Sequence, residues 1–517
     1  ARMMKYNCKD TTVTYEIYQR QEEEFDERPK LREYYYRHEL PLARAMHRIE
    51  QRGLLMDTTQ LSSLRKFIEN ELDSSCSRIG KSVNKPCYSG AKTAARAGYK
   101  KPGTYLNTGS PKQIADLLTS IGLKLPKNRG TGNVTTNEEA LNRLYAESGN
   151  NILKELLLTR ETSKLLNTYV NQELKNDISY TCYLVGGTVS GRRASAASPL
   201  GNGKRNLGTN HQNIPKHYEL AERLRCCYIS RPNYIFVMCD QVGAEDWIIQ
   251  GLIADLTGDT RGLQELRDNI DRHQKLASII FGVPLDQCSK SAHTNFRYIG
   301  KRVRYAGSYG MGASKFSAVL AKEGFAVSET DCDFLLRKFH EAEPSVKQVF
   351  QQYIEHTITK ERRLDNLFGR QRQVFGLHPH RDNSKIFREL YSYIPQGTVG
   401  DNTGEAVLMV DAESTPRCYC VAEIHDAIAL EVFDEDNDVF KACNLLQRSF
   451  DRKIRFPKGL ELTIPIEFEI GYNLQDTIKC DSSKITSLTN ISTMLVALRK
   501  ARQPIISGQL QPQSQPA

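Results

Sequence analysis

The sequence predicts an α+β chain of several domains, on three observations. It is 517 residues long, too long for one compact core. Apolar residues recur at helical spacing over long stretches, and short apolar runs at 235–239 and 421–432 each meet a polar step that carries an aspartate.

Taken in order, residues 1–36 read as a charged helical stretch, with the run Gln21 to Arg28 before Pro29 as a linker. A new unit opens near Glu39-Leu40-Pro41. Leu42, Met46, Ile49 and Leu54 carry one helical rhythm, and after a turn at Gly53 a second runs through Leu61, Leu64, Phe67, Ile68 and Leu72. Between Ser77 and Thr104 the composition turns to Gly, Ser, Ala and Pro, with Arg78, Lys81, Lys85, Lys92, Arg96, Lys100 and Lys101 and no acid. Such a segment is expected to be an exposed, strongly positive loop without a core, either a plain disordered insertion or a phosphate-gripping loop. Ser110-Pro111 marks a helix start, and Leu153 to Leu166 is helical in pattern. Ile235 to Cys239 suits a buried strand, Ala244 to Leu256 a helix, and Val421 to Val432 a hairpin with His425-Asp426 at its tip. From Ser482 the chain turns polar and Gln/Pro-rich, which predicts a tail that is disordered beyond about Arg502.

The net charge of +10 leans towards a polyanionic partner, although a solvated cationic face gives the same balance. Thirteen cysteines, an odd number with no Cys-x2-Cys pair, argue against a disulfide framework and a zinc site and read as reduced core thiols. No signal peptide and no apolar run long enough to span a bilayer is present, so a soluble, intracellular protein without a membrane partner is expected, in the cytoplasm or nucleoid of a host or in an organelle. The chain lacks an initiator methionine and begins like the middle of a helix, as a fragment of a longer protein would.

Asp240 directly follows the apolar strand, and Asp426 sits at the hairpin tip. Two carboxylates from adjacent strand ends can bridge a pair of Mg2+ ions and leave sites open for phosphate, although either aspartate alone is more often a turn or cap residue. Arg297, Lys301 and Tyr305 are four residues apart, so on a helix they share one face. Two cations and an aromatic ring in line fit a nucleoside triphosphate; a solvated basic helix with incidental tyrosines is the alternative.

These three segments resemble motifs A, B and C of the family A DNA polymerases, in order and approximate spacing. Motif A, D-Y-S-Q-I-E in the family, stands as Asp240-Gln241-Val242-Gly243-Ala244-Glu245. Motif B is complete in Arg297, Lys301, Tyr305, Tyr309 and Gly310, and motif C, H-D-E, stands as His425-Asp426-Ala427. Thr188-Val189-Ser190-Gly191-Arg192, Gln212-Asn213-Ile214-Pro215, Leu367-Phe368-Gly369-Arg370 and Gln396-Gly397-Thr398 match further signatures, so the likeness covers roughly residues 37 to 475.

The resemblance implies a right-hand polymerase fold with an antiparallel-sheet palm, helical fingers and a helical thumb. It divides the chain into a remnant of a 3'–5' exonuclease-like domain plus linker at 1–36, a thumb at 37–180 with a basic insertion at about 77–104, palm at 181–254, fingers at 255–374, palm again at 375–480 and a partly disordered tail at 481–517. It implies a DNA-directed DNA polymerase that adds deoxynucleotides to a primer end by two-metal nucleotidyl transfer, with two Mg2+ ions, Mn2+ as a substitute, primer-template DNA and dNTPs as partners, and a replisome or processivity partner at the thumb insertion. Tyr6 to Asp10 is similar to the family's closing exonuclease motif, but the other exonuclease carboxylates have no place here, so no proofreading is expected.

Carried over position by position, Asp240 and Asp426 would hold metal with the backbone carbonyl of Gln241. Lys301 would neutralise the triphosphate and protonate pyrophosphate, and Arg297 and His273 would hold the outer phosphates. Tyr305 would lie against sugar and base, its phenol replacing a missing 3'-hydroxyl and so admitting dideoxynucleotides. Glu245 would be the gate against a ribose 2'-hydroxyl, and Tyr309 would alternate between template stacking and admitting the new pair. Arg192, Asn213, Arg225, Arg388, Gln396 and His425 would track primer and template, and the insertion at Ala196 to Asn210, with Lys204 and Arg205, would lie near duplex phosphates.

Four departures stand out. Motif A has lost its Tyr, Ser and Gln, Trp247 replaces a common Arg, and Ala427 replaces the motif C glutamate; Ser392 stands where Asn is frequent. The altered motif A, the short front and the added loops point to a phage or organelle lineage. A single-subunit phage-type RNA polymerase is the nearest rival, opposed by Glu245. A catalytically dead clamp is a rival of another class, opposed by the intact Asp240, Asp426, Lys301 and Arg297.

Overall fold

The computed structural model describes residues 2–99, 101, 103–127, 132–199, 206–216, 218–292, 294–378, 380–482, 485 and 487–506. At its centre lies an antiparallel five-stranded sheet built from β1 (Tyr234–Gln241), β2 (Cys418–Ile424), β3 (Ala427–Phe433), β4 (Ile466–Gly471) and β5 (Thr477–Asp481), in the order β2-β3-β1-β4-β5. The unbroken apolar run of β1 follows from its central place, because both its faces are covered. Ile235, Val237 and Cys239 face one core with Leu42, Met46, Val407, Leu446 and Phe468, while Phe236 and Met238 face another with Leu54, Leu61, Leu64 and Leu166.

Nine helices position the rest of the site: α1 (Leu40–Arg52), α2 (Thr58–Ser82), α3 (Asn151–Leu165), α4 (Ala244–Thr257), α5 (Arg272–Phe281), α6 (Phe296–Ser308), α7 (Tyr393–Ala412), α8 (Asp436–Phe450) and α9 (Leu488–Ile506). α1, α7, α8 and α9 cover one sheet face and α2 the other. α4, α5 and α6 share a third core, with Trp247 buried in it beside Leu252, Leu276, Val303 and Phe339. The predicted Ser110 cap is present, its hydroxyl accepting from the Gln113 N–H with Pro111 in the first turn.

Several expectations are corrected. The run Gln21 to Glu27 is no linker; it continues one helix, Arg2–Glu27, because Gln and Glu favour helix and Phe25 stacks on Tyr35 with ring centroids 5.2 Å apart. Leu54 leaves the helical rhythm: Gly53, at φ +57, turns the chain into a short strand, Leu54–Met56. Phe67 is exposed, covered by the Arg223 guanidinium 4.4 Å from its ring.

The segment 77–104 is not a coreless loop. Its strand Cys87–Tyr88 pairs in parallel with Leu106–Asn107, and Cys87 and Leu106 bury with Cys76, Ile79, Ile114, Leu118, Leu141 and Leu153. The segment supplies few apolar residues itself and borrows the rest from chain on either side. The tail begins as α9, whose Ile491, Leu495 and Leu498 are buried at helical spacing, with Arg499 paired to Asp434 at 2.8 Å. The expectation of disorder past Arg502 bears on chain outside the described residues from 507 onward, as do Lys100, Lys204 and Arg205.

Candidate active site

Strand register builds the acidic end of the sheet. Asp240 pairs with Ala427 on β3 and with Glu467 on β4. Cys239, one residue earlier, pairs with Ile428 and Phe468 and faces the core, so alternation turns Asp240, Ala427 and Glu467 to the opposite face. The β2–β3 turn consists of His425 and Asp426 between the paired Ile424 and Ala427, with His425 at φ +59. Asp426 is thereby set beside Asp240. Burial, and then the Asp426 carboxylate, push the Asp240 carboxyl up to about 6, with Lys216 pulling the other way.

Asp426 is held by Arg192, whose Nη2 donates to both its carboxylate oxygens at 3.0 Å and to Glu245 Oε1 at 2.9 Å. Glu245 accepts on its other oxygen from the Tyr309 hydroxyl. Tyr309, Glu245, Arg192 and Asp426 thus form one chain from the end of α6 to the hairpin tip. Burial, and then Glu245, raise the Tyr309 phenol well above its usual range. Among the described residues Arg192 Nε is buried without a partner.

α6 buries Gly300, Val303, Arg304, Ala306 and Gly307 and turns Arg297, Lys301 and Tyr305 outward. Gly300 is required by the close approach to α5: a Cβ there would stand 2.7 Å from the His273 carbonyl oxygen. That contact brings His273 to the stripe, its ring 6.0 Å from that of Tyr305. Burial, then the Arg304 guanidinium, lower His273 to about 4, so the imidazole is neutral near pH 7. Arg297 donates from Nε to Asp271 at 2.6 Å. Burial, then Arg302, lower the Lys301 ammonium, and burial, then Glu245, push the Tyr305 phenol up to about 12.

The other predicted residues are dispersed around this pocket. The Gln241 side chain is buried away from it, donating to the Thr403 hydroxyl at 2.8 Å and accepting from Asn402 at 2.7 Å, so only its backbone is available at the strand end. His425 and Asn213 are exposed, and Gln396 is half-buried. Arg388 is exposed, its Cγ against Gly310 at the end of α6. Arg225 is buried, with Nη2 on the Leu474 carbonyl and Nη1 unpartnered among the described residues, so it does not stand on an open surface.

Two residues escaped the sequence reading. Glu467 faces Asp240 across the ladder, and its signal was the alternation Ile466-Glu467-Phe468-Glu469-Ile470. Lys216, whose charge acts on Asp240, directly follows the Asn213-Ile214-Pro215 match. Among the described residues no group of three or more His, Cys, Asp or Glu side chains stands close enough to hold a metal. The donors that fit a hard divalent cation are Asp240 and Asp426, whose mutual repulsion such an ion would relieve.

A sequence model of DNA polymerase family A matches residues 81–476. DNA polymerase I of Caldicellulosiruptor bescii is 24% identical over 456 residues, covering 85% of this chain and 47% of the relative. The thermostable DNA polymerase I of Thermus thermophilus is 24% identical over 451 residues, covering 84% and 47%. The chain therefore spans about half the length of these relatives. Among solved structures, the POL domain of Pol1 from M. smegmatis, in complex with DNA primer-template and dNTP, superposes with a TM-score of 0.67 at 20% identity, covering 85% of this chain and 70% of that one.

Proposed function

We propose that this chain, which belongs to DNA polymerase family A, extends a DNA primer on a DNA template with deoxynucleotides. The observation that carries the reading is the β3–β1 register, which sets Asp240 beside Asp426, with Tyr305 of the fingers segment near enough to feel the Glu245 and Asp426 charges and Tyr309 bonded to Glu245. Asp240 and Asp426 would hold two Mg2+ ions, with Mn2+ as a substitute and the Gln241 carbonyl as a further donor. Bound there, the ions would lower the pKa of the attacking 3'-hydroxyl and neutralise the leaving pyrophosphate.

The chain's own groups do the remainder. Arg297 releases Asp271 to grip the outer phosphates, and neutral His273 donates a hydrogen bond to them. Lys301, its ammonium already made a readier proton donor by burial, protonates the pyrophosphate. Arg192 must leave Asp426 as metal enters, and its exchange partner is the minor-groove edge of the primer terminus. Asn213, Arg388, Gln396 and His425 line the duplex path; buried Arg225 acts as support.

In this reading residues 37–180 form the thumb, 181–254 with 375–480 the palm, and 255–374 the fingers. Lys81, Lys85, Lys92 and Arg96 border one cleft, which suits duplex phosphates, with a replisome partner as the alternative occupant. No proofreading is expected of these residues.

Glu245, tied between Arg192 and Tyr309, favours deoxyribose over ribose. Primer extension with matched dNTP and rNTP pools tests this: extension with dNTPs and little with rNTPs is expected. Equal use of both would turn the reading towards an RNA polymerase, and extension with neither towards a clamp.

A further inference from the structure

Away from the acidic site, Cys76 and Cys87 meet at the base of the thumb segment. Cys76 lies on α2, one turn before Gly80 on the same face. α2 ends at Ser82, and the chain doubles back through Asn84, at φ +50, to lay Cys87 onto the helix: a Cβ at Gly80 would stand 3.4 Å from the Cys87 Cβ. Both thiols belong to one buried cluster, with Ile79 and Leu106. Both are buried, at 4% and 7% exposure, yet both line an open cleft of about 1550 Å³ bordered by Lys81, Lys85, Lys92 and Arg96. A small reagent can reach them from that cleft. No third ligand group accompanies them among the described residues, which leaves thiol chemistry rather than metal binding.

We infer that Cys76 and Cys87 are a peroxide-oxidisable dithiol whose disulfide fastens the Cys87–Tyr88 strand to α2. Cys87 draws the Cys76 thiol down, against burial and the Asp73 carboxylate, and Cys76 acts as the first nucleophile. The Cys76 thiolate attacks one oxygen of a hydroperoxide; the O–O bond breaks, the distal oxygen leaves with a proton as water or alcohol, and Cys76 becomes a sulfenic acid. Cys87 sulfur then attacks the Cys76 sulfur, the S–S bond forms, the S–O bond breaks, and hydroxide leaves with the Cys87 proton as water. Both thiols are oxidised together by two electrons, and the hydroperoxide is the species reduced. The bond closes a short loop that carries Lys81 and Lys85.

The test uses the full reduced chain, titrated with hydrogen peroxide, quenched, alkylated with iodoacetamide after unfolding, and mapped by mass spectrometry without reduction. The expected result is a peptide joining Cys76 to Cys87, reversed by dithiothreitol, at peroxide levels that leave buried Cys227 and Cys288 fully alkylated. Proteolysis within residues 83–107 should slow several-fold in the oxidised chain. In Cys87→Ser, Cys76 should instead be trapped by dimedone as the sulfenic acid. Full alkylation of Cys76 and Cys87 while exposed Cys8 is oxidised, or cross-links scattered over other cysteines, overturns the inference, and the wild-type map decides this even if the variant fails to fold.

Discussion

The two halves of the site are built by different means. On the sheet, Asp240 and Asp426 are placed by backbone: a ladder pairs Asp240 with Ala427 on one side and Glu467 on the other, and a two-residue turn fixes Asp426 next to it. On α6, Arg297, Lys301 and Tyr305 project from a helix that packs through its other face, and Arg297 is engaged elsewhere, on Asp271. The difference teaches where each half carries its cost. The carboxylates are preorganised in mutual repulsion, while Arg297 must be recruited from Asp271 when a triphosphate arrives.

Breaking the sheet half should have the largest effect. Asp240→Asn or Asp426→Asn should reduce single-turnover primer extension by roughly 10³-fold or more, since several kcal/mol of charge stabilisation is lost. Far-ultraviolet circular dichroism should stay unchanged. On the helix half, Lys301→Ala should lower kcat by roughly 10²-fold or more as a proton donor is removed. Arg297→Ala should act mainly on KM for the dNTP, because it alters binding of the outer phosphates.

The burial of Asp240 and its repulsion by Asp426 can be read in stability. The folded Asp240 carboxyl is held up at about 6, above its value in an unfolded chain, so its contribution to stability is present at low pH and is lost as pH rises through about 6. In metal-free protein at pH 8, Asp240→Asn should therefore raise the unfolding free energy by up to roughly 3 kcal/mol. Divalent binding should show the reverse trend and weaken as pH falls through about 6, where proton and metal compete. Equal pH dependence in wild type and variant would show that the carboxylates are not strained.

Smaller effects should come from positions that sharpen the contrast without removing a charged partner. Gly300→Ala should cost about 1–3 kcal/mol through overpacking of α5 against α6. Tyr305→Phe should leave dNTP extension nearly intact while raising discrimination against dideoxynucleotides by roughly tenfold, the worth of one hydrogen bond. Ala427→Glu should change extension by less than about threefold, because Asp240 and Asp426 remain as the two donors.

Much of the site was legible because its spacing is periodic. The four-residue interval of Arg297, Lys301 and Tyr305 fixes a helix face, and the apolar run before Asp240 fixes a central strand. The β2–β3 tip was readable from two apolar arms around His425-Asp426. What escaped depends on chain far away. Whether 77–104 has a core is decided by Ile114, Leu118, Leu141 and Leu153, which lie outside it. The ion pair of Arg192 with Asp426 joins segments that no local pattern connects, and the same holds for Arg225 buried against Leu474. The α9 helix was hidden by polar neighbours around Ile491, Leu495 and Leu498.

The most direct test of the central claim is a single-nucleotide extension of a primer-template by the purified chain across a Mg2+ titration, with Asp426→Asn alongside. The predicted result is addition of the template-matched deoxynucleotide that saturates with Mg2+, stops on chelation, and falls by roughly 10³-fold in the variant. Extension that persists without a divalent cation, or that proceeds equally in Asp426→Asn, would contradict the assignment of Asp240 and Asp426 as the metal-holding pair.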